Sequence, residues 1–559
     1  MTKKDIMDLL ATLPKGGITK KRIKKPNGKV YEYYFLQWTE NGKQISRSLK
    51  NDEVETIRKQ LDDRKKLEQV LLFGNYSVKE QPLKFHTKIT TGLDLIPLVE
   101  RVKKYKKRDW YKRIEEFVYG EIRSRVLVLY GLKNTGKTTL MKQIIADMKF
   151  YDILQTAFIQ ITQNDSLEDI YDDLDILRNN GFKYVFINEV TLSEDFIKNS
   201  ALLSDIYAAS GMKIVLSGSD SLSFIFAKRD QLFDRCFLLH TTFIPYREQS
   251  EFLGQKELDT YIRYGGTMSE SRLNSFRSLK STEDYISNAI SENIKNSMDN
   301  YRYDMHFKSL EELLDNNELT NAINMVIEDI NRRFTFDVIE KAFKDDKLLY
   351  PRLKKIIDDT HNKHKLDITD SQYKEIEKYL FELDIIFQNE IRNVDPYKED
   401  RQRIVFTQPG LRYSQAHSIV SSIAENPLFK NLPLEEQKYM KERILIEIRG
   451  RMVEDIVLLE TKVANPTKTV IKFQFEDGAF NMVVSDYETL ESQVFILSND
   501  KEPLTEKSNY LIDEDKCYIT SYRHGTIVKK TVLYKGENTM LDGIYYQNIE
   551  EYLLSLKNG

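Results

Sequence analysis

The 559 residues carry 84 Lys or Arg against 87 Asp or Glu, a formal net charge of -3, with 31% charged and 41% hydrophobic residues. That composition excludes a disordered or fibrous chain, and the length exceeds what one hydrophobic core serves, so several structural units are expected. Two cysteines without a CxxC pair, Cys236 and Cys517, leave no disulfide framework or zinc ribbon, and no run of 18 apolar residues argues for a membrane span. The expectation is a cytoplasmic protein.

A small N-terminal α+β hairpin domain is expected over residues 1–75. YEYYFLQW (31–38) and KQISRSL (43–49) read as strands joined at Asn41-Gly42, and residues 52–72 place Val54, Ile57, Leu61, Leu67, Val70 and Leu71 at helical spacing. Residues 15–50 hold ten Lys or Arg against two Glu. That local excess suits phosphate-backbone contacts, or equally the solvated face of a small domain. Trp38 and the tyrosines read as hairpin packing. Residues 76–114 read as a linker and a basic helix, again a solvated face or a second nucleic-acid contact.

A P-loop ATPase domain is expected over residues 115–255. A buried-strand run, Val126 to Tyr130, leads into GLKNTGKT, which matches GxxxxGK[ST], and then into an apolar-periodic helix. Gly131 and Gly136 let the loop turn its N–H groups inward, through Asn134 and Thr135, toward an anion at the helix N-terminus. Lys137 would reach the β- and γ-phosphates of ATP, Thr138 would hold Mg2+, and Thr139 supports the loop. The strand Tyr184 to Ile187 ends in Asn188-Glu189. Glu189 is the candidate general base, and Asn188 stands near magnesium where an aspartate is usual, so binding should survive better than turnover. A third strand, KIVLSGSDSL, ends in Ser217 and Ser219, candidates for sensing the γ-phosphate. Alternating strands and helices imply a parallel sheet. Arg235 reads as an arginine finger, in cis or from a neighbouring subunit of a homo-oligomer, or as an ion pair with Asp234 or another acid.

Residues 256–370 lack a convincing strand pattern and are expected to be helical; His361 and His364 there are too few ligands for zinc. Residues 371–415, a helix followed by a hairpin around Asp395-Pro396, suggest a winged-helix-like unit serving DNA contact or packing. Residues 416–559 follow a helix–strand–strand order.

The ordered set GLKNTGKTT, YVFINEV, KIVLSGSDSL, TTFIPYREQSEFLG and YIRYGGTM resembles a family of bacterial and archaeal P-loop ATPases, AAA-like or STAND-like, that carry a winged-helix region and a C-terminal PD-(D/E)XK nuclease-like domain. The resemblance implies an α/β chain acting as an ATP-driven switch with a nucleic-acid partner, DNA rather than RNA, or a protein partner, in DNA-related or phage-defence roles. The positions matching the nuclease site are Glu454, Asn481, Phe495 and Leu497. Only Glu454 can ligate a metal, so the fold is expected to be kept and the chemistry lost. Two alternatives stand beside the switch. One is an ATP-regulated nuclease using other acids, such as Asp477 or Asp486; the other is a scaffold that binds ATP without hydrolysing it.

Overall fold

The structure, a computed structural model, describes residues 3–24, 30–40, 42–50, 52–73, 83–121, 124–193, 196–241, 243–254, 257–268, 275–300, 306–347, 349–363, 368–503 and 505–557. Asn41, His364 and part of the expected 76–114 linker lie outside the described residues. No helix among the described residues is long and apolar enough to cross a membrane.

The N-terminal unit is a three-stranded antiparallel sheet, β1 (Gly17–Lys24), β2 (Val30–Glu40) and β3 (Lys43–Leu49), in the order β1-β2-β3. Leu36 and Leu49 pack on Val54 and Leu61 of the helix Val54–Phe73, with Tyr34 and Trp38 joining this core. The strand β1 lies in the basic stretch, outside the two strands read from the sequence. Among its described side chains Ile18 joins the core, and its cations suit an edge strand, where lysines discourage further pairing.

The central sheet contains β4 (Lys88–Thr91), β5 (Val126–Tyr130), β6 (Thr156–Gln160), β7 (Tyr184–Asn188), β8 (Lys213–Gly218) and β9 (Cys236–His240), in the order β4-β6-β7-β8-β5-β9. Only β4 is antiparallel to its neighbour. Strands covered on both faces read as continuous apolar runs, and β7 and β8 are buried at every residue. Val126 and Val128 pack toward the helix Leu167–Asn179, capped by Ser166 with a reciprocal bond to Asp169. Leu127 and Leu129 face the helices Trp110–Tyr119 and Lys137–Asp147. The parallel arrangement brings the C-terminal ends of β5, β7 and β8 to one edge.

Between β9 and the next strand the described residues are helical apart from one bridge, Ile244 to Gly266. A 25-residue helix, Leu319–Phe343, runs through this region. The remaining strands, β10 (Ile386–Asn393), β11 (Arg401–Phe406), β12 (Thr469–Gln474), β13 (Ala479–Asp486), β14 (Glu491–Leu497), β15 (Thr526–Tyr534), β16 (Thr539–Leu541) and β17 (Ile544–Asn548), form one sheet ordered β11-β10-β12-β13-β14-β15-β17-β16. The β10–β11 hairpin therefore does not stand free. Ile391 to Asn393 pair in parallel with Lys472 to Gln474, so the hairpin extends the C-terminal sheet, and the boundary expected at 415–416 falls inside the helix Pro409–Glu425. The 31-residue helix Leu434–Ala464 packs Met452, Val453, Ile456 and Val457 on one face of that sheet.

Candidate functional site

The loop leaving β5 turns at Gly131, whose φ of 145° suits glycine and whose added Cβ would lie 2.4 Å from the carbonyl oxygen of Thr241. Gly136, at φ 87°, opens the helix Lys137–Asp147. Thr135 ties the loop down, donating from Oγ1 to the Leu132 carbonyl at 2.9 Å and sharing a hydrogen with Thr241 Oγ1 at 3.1 Å. Lys137 is buried, and its Nζ donates to the carbonyls of Gly131 (2.6 Å) and Leu132 (2.8 Å). Burial pushes its ammonium down to about 8 despite the attraction of Glu189. His240, stacked on Tyr130 at 4.4 Å, is held near 4 by burial and by Lys137, and so stays neutral beside the loop.

Strand register sets the second half of the site. Asn188 ends β7 opposite Gln160 of β6 and donates from Nδ2 to Gln160 Oε1 at 2.9 Å. Its Oδ1 accepts from the hydroxyls of Thr138 and Ser217, each at 2.8 Å. Glu189 follows in the left-handed region at φ 59°, which turns its carboxylate to the end of β8, where Oε2 accepts from the Ser219 N–H (2.9 Å) and hydroxyl (2.8 Å). Thus Lys137, Thr138, Asn188, Glu189, Ser217 and Ser219 meet at one sheet edge. Thr139 is half-buried on the same helix. The neighbouring hydroxyl, amide and carboxylate oxygens are hard donors of the kind magnesium takes. Among the described residues no group of three His, Cys, Asp or Glu converges, so a magnesium ion here would draw further ligands from phosphate and water.

Arg235 is elsewhere. It precedes β9 at the opposite edge of the sheet, a five-residue strand or roughly 17 Å from the loop, and its Nε bonds Asp205 Oδ1 at 2.7 Å. Asp234 instead takes Arg125. An arginine finger in cis is therefore excluded by the direction of β9.

Residues far from the motif, and unmarked in the sequence, hold three successive loop carbonyls. Arg108 Nη1 donates to Thr135 at 2.6 Å, the Met268 N–H to Asn134 at 3.1 Å, and the Tyr285 hydroxyl lies 3.5 Å from the Lys133 oxygen. Asn293 Nδ2 donates to the Ser219 carbonyl at 2.5 Å. Ser297 bonds Asp220, which caps the helix Ser221–Arg229 and whose carboxyl burial raises to about 6. Only the irregular RVKKYKKRD run signalled Arg108, and there it read as surface charge.

On the helix Leu434–Ala464, against the C-terminal sheet, Glu454 is buried under cations. Lys472 Nζ lies 2.6 Å from its Oε1, Arg451 Nη1 at 2.7 Å and Arg403 Nη1 at 3.5 Å from its Oε2, and Asn481 Nδ2 donates to Oε1 at 3.3 Å. Burial works against its charge, yet Arg403, Lys472 and Arg451 hold its carboxyl well below the usual range. Phe495 packs in the core beside Tyr552, and Leu497 lies against the same cluster. Asp477 and Asp486 pair with Lys516 and Lys468 respectively.

No curated protein matches the chain. Residues 2–59 match a domain of unknown function (DUF6788). Residues 123–250 match the AAA domain family, so the middle of this chain, loop, strands and carboxylate together, is similar to a nucleotide-binding P-loop module of the ATPase type.

Proposed function

We propose that the protein is an ATP- and Mg2+-dependent switch that hydrolyses ATP slowly and passes its nucleotide state to a nucleic-acid or protein partner. The observation that carries this reading is the meeting of Lys137, Thr138, Asn188 and Glu189 at one sheet edge, with loop carbonyls held by residues outside the AAA-like segment. In this reading Lys137 neutralises the β- and γ-phosphates, Thr138 and Asn188 hold the magnesium shell, and Glu189 polarises the attacking water once it leaves Ser219. Ser217 and Ser219 report the γ-phosphate. Arg235 could act only on a neighbouring subunit in a homo-oligomer.

We read the helix Asp370–Glu382 with β10 and β11 as a winged-helix-like element used for packing, and the rest of the C-terminal sheet as a nuclease-like fold without cleavage. Three cations stand around Glu454 where a nuclease needs several carboxylates to concentrate magnesium. A binding-only scaffold is the second reading, favoured by the neutral Asn188 and by the engagement of Glu189 with Ser219. Phosphate release measured with and without magnesium, on the wild type and Glu189→Gln, separates the two. No magnesium-dependent release from the wild type would leave only the scaffold, and equal release from both proteins would remove Glu189 from its role.

A further inference from the structure

The turn that precedes the helix Trp110–Tyr119 concentrates positive charge on its outer surface. Residues 100–113 hold eight Lys or Arg against two acids, a net charge of +6, whereas the rest of the chain carries 76 against 85, a net charge of -9. Glu100–Lys104 form one short helical turn that ends at an extended Tyr105. Val102 is buried in the cluster that holds Val99 and Ile144, while Arg101, Lys103, Lys104, Lys106 and Lys107 are all exposed. The backbone between these cations is tied inward. Gln143, on the helix behind the phosphate loop, donates from Nε2 to the Tyr105 carbonyl at 3.0 Å and lies 3.4 Å from those of Val102 and Lys106. The next two residues complete the anchor, Arg108 on Glu248 and Asp109 on Arg247. Lys103 takes Glu100 and Lys107 takes Asp147, but among the described residues no carboxylate forms an ion pair with Arg101, Lys104 or Lys106.

We propose that this turn binds a double-stranded nucleic acid through its phosphate backbone, without reading bases. The proposal rests on the switch reading for the partner's role and gives that partner a class. From Arg101 to Lys107 the chain covers at most about 16 Å, and a duplex presents one charge per roughly 1.7 Å of its axis, so several phosphates meet the five cations together. The tied backbone reduces the cost of ordering the segment on binding. Because the contact is to phosphate, duplex DNA and duplex RNA are both ligands. A single strand offers half the charge per length and would need an open ring to stack on, but the Lys104 ammonium stands 5.5 Å from the centre of the Tyr105 ring. A lipid surface takes up apolar side chains, whereas Val102, the one aliphatic residue from 101 to 107, is buried. The centre of a protein interface is poor in lysine. Arg108, which holds the Thr135 carbonyl, directly follows Lys107, so a bound duplex lies one residue from a support of the phosphate loop.

The test uses the full chain without nucleotide and fluorescence anisotropy on labelled 20-base-pair DNA and RNA duplexes and a 20-nucleotide DNA strand, with phosphatidylserine vesicles assayed by sedimentation. With about four phosphate contacts, duplex affinity should fall roughly 100-fold between 50 and 200 mM NaCl. Lys104→Glu combined with Lys106→Glu should weaken it by more than about tenfold at 50 mM NaCl and lower the salt slope by about two, without lowering the melting temperature. Lys104→Arg combined with Lys106→Arg should bind as the wild type does. Lys21→Glu combined with Lys43→Glu makes the same change in net charge at exposed positions of the N-terminal sheet and should leave affinity within about twofold. Unaltered affinity in the Lys104 and Lys106 reversal, an equal loss in the Lys21 and Lys43 reversal, tighter binding of the single strand or the vesicles, or no duplex binding at 50 mM would each overturn the proposal. ATP binding and phosphate release measured on the same samples in the absence of nucleic acid test the switch separately, so either reading can fail alone.

Discussion

Arg108 and Glu248, 140 residues apart in the chain, form a buried ion pair at 2.6 Å directly beneath the phosphate loop. The same guanidinium reaches the Thr135 and Phe243 carbonyls, and the other Glu248 oxygen accepts from the Asp109 N–H at 2.9 Å. Removing one partner of such a pair strands a buried charge, which typically costs about 3–5 kcal/mol. Arg108→Met should therefore lower the melting temperature and also weaken ATP binding, whereas Arg108→Met combined with Glu248→Met should recover stability but not affinity. Thermal unfolding and calorimetry read the two effects. Recovery of both by the double variant would show that Arg108 acts only through stability.

Lys137 gives a pH signature. Its ammonium lies near 8 in the folded protein against an ordinary value of 10.5, so between those limits the unfolded chain binds more protons. Stability from this group should thus rise as pH climbs from about 8 to 10.5, a rise absent in Lys137→Met. Triphosphate re-charges the amine, so binding at pH 8 should take up about half a proton. Calorimetry in buffers of different ionisation enthalpy measures that uptake. Lys137→Ala should abolish tight triphosphate binding.

At the end of β7, Glu189→Gln should keep nucleotide binding and slow hydrolysis by about 100-fold or more, since an amide cannot take the proton of the attacking water. Asn188→Asp should raise magnesium affinity or turnover. An aspartate there still accepts from Thr138 and Ser217 but loses its donor to Gln160, so the Gln160 amide must turn. Magnesium titration of nucleotide binding and steady-state phosphate release check both. No change in either for Asn188→Asp would mean that charge at this position does not limit the site.

Glu454 compensates Arg403, Arg451 and Lys472. Glu454→Ala should destabilise the protein by about 3 kcal/mol or more, by stranding buried cations. Because its carboxyl lies below the usual range in the folded state, the contribution should be full above about pH 4.5 and fade as pH falls further. Denaturant unfolding from pH 7 to 3 measures this. No incubation with DNA or RNA in magnesium or manganese should yield cleavage, with or without ATP.

The nucleotide edge was legible because its signals are local. The glycine loop, the apolar runs of β5, β7 and β8, and the polar residues that end them lie within short windows, and parallel pairing carries them to one edge. The strand β1 was missed because GITKKRIK lacks the alternation of a two-faced strand. Arg108 was missed because burial of a cation shows only when its acid, 140 residues away, is placed beside it. Partners for β10 were equally invisible: the hairpin was legible, but its parallel bond to β12 depends on the intervening helices.

The three held carbonyls at Lys133, Asn134 and Thr135 bear on how this P-loop module could be inherited. Residues 123–250, the span that matches the AAA domain, contain the whole phosphate-binding motif but none of Arg108, Met268 and Tyr285. A recombination event transplanting that span into another gene would carry the cradle and leave its three supports behind. Tyr285 in turn accepts from Gln408 at 2.9 Å, and Tyr246 donates its N–H to Glu460 on the long C-terminal helix. The unit that evolution can exchange without loosening the loop is therefore larger than the unit that sequence similarity outlines, and it reaches from Arg108 to the long helix Leu434–Ala464.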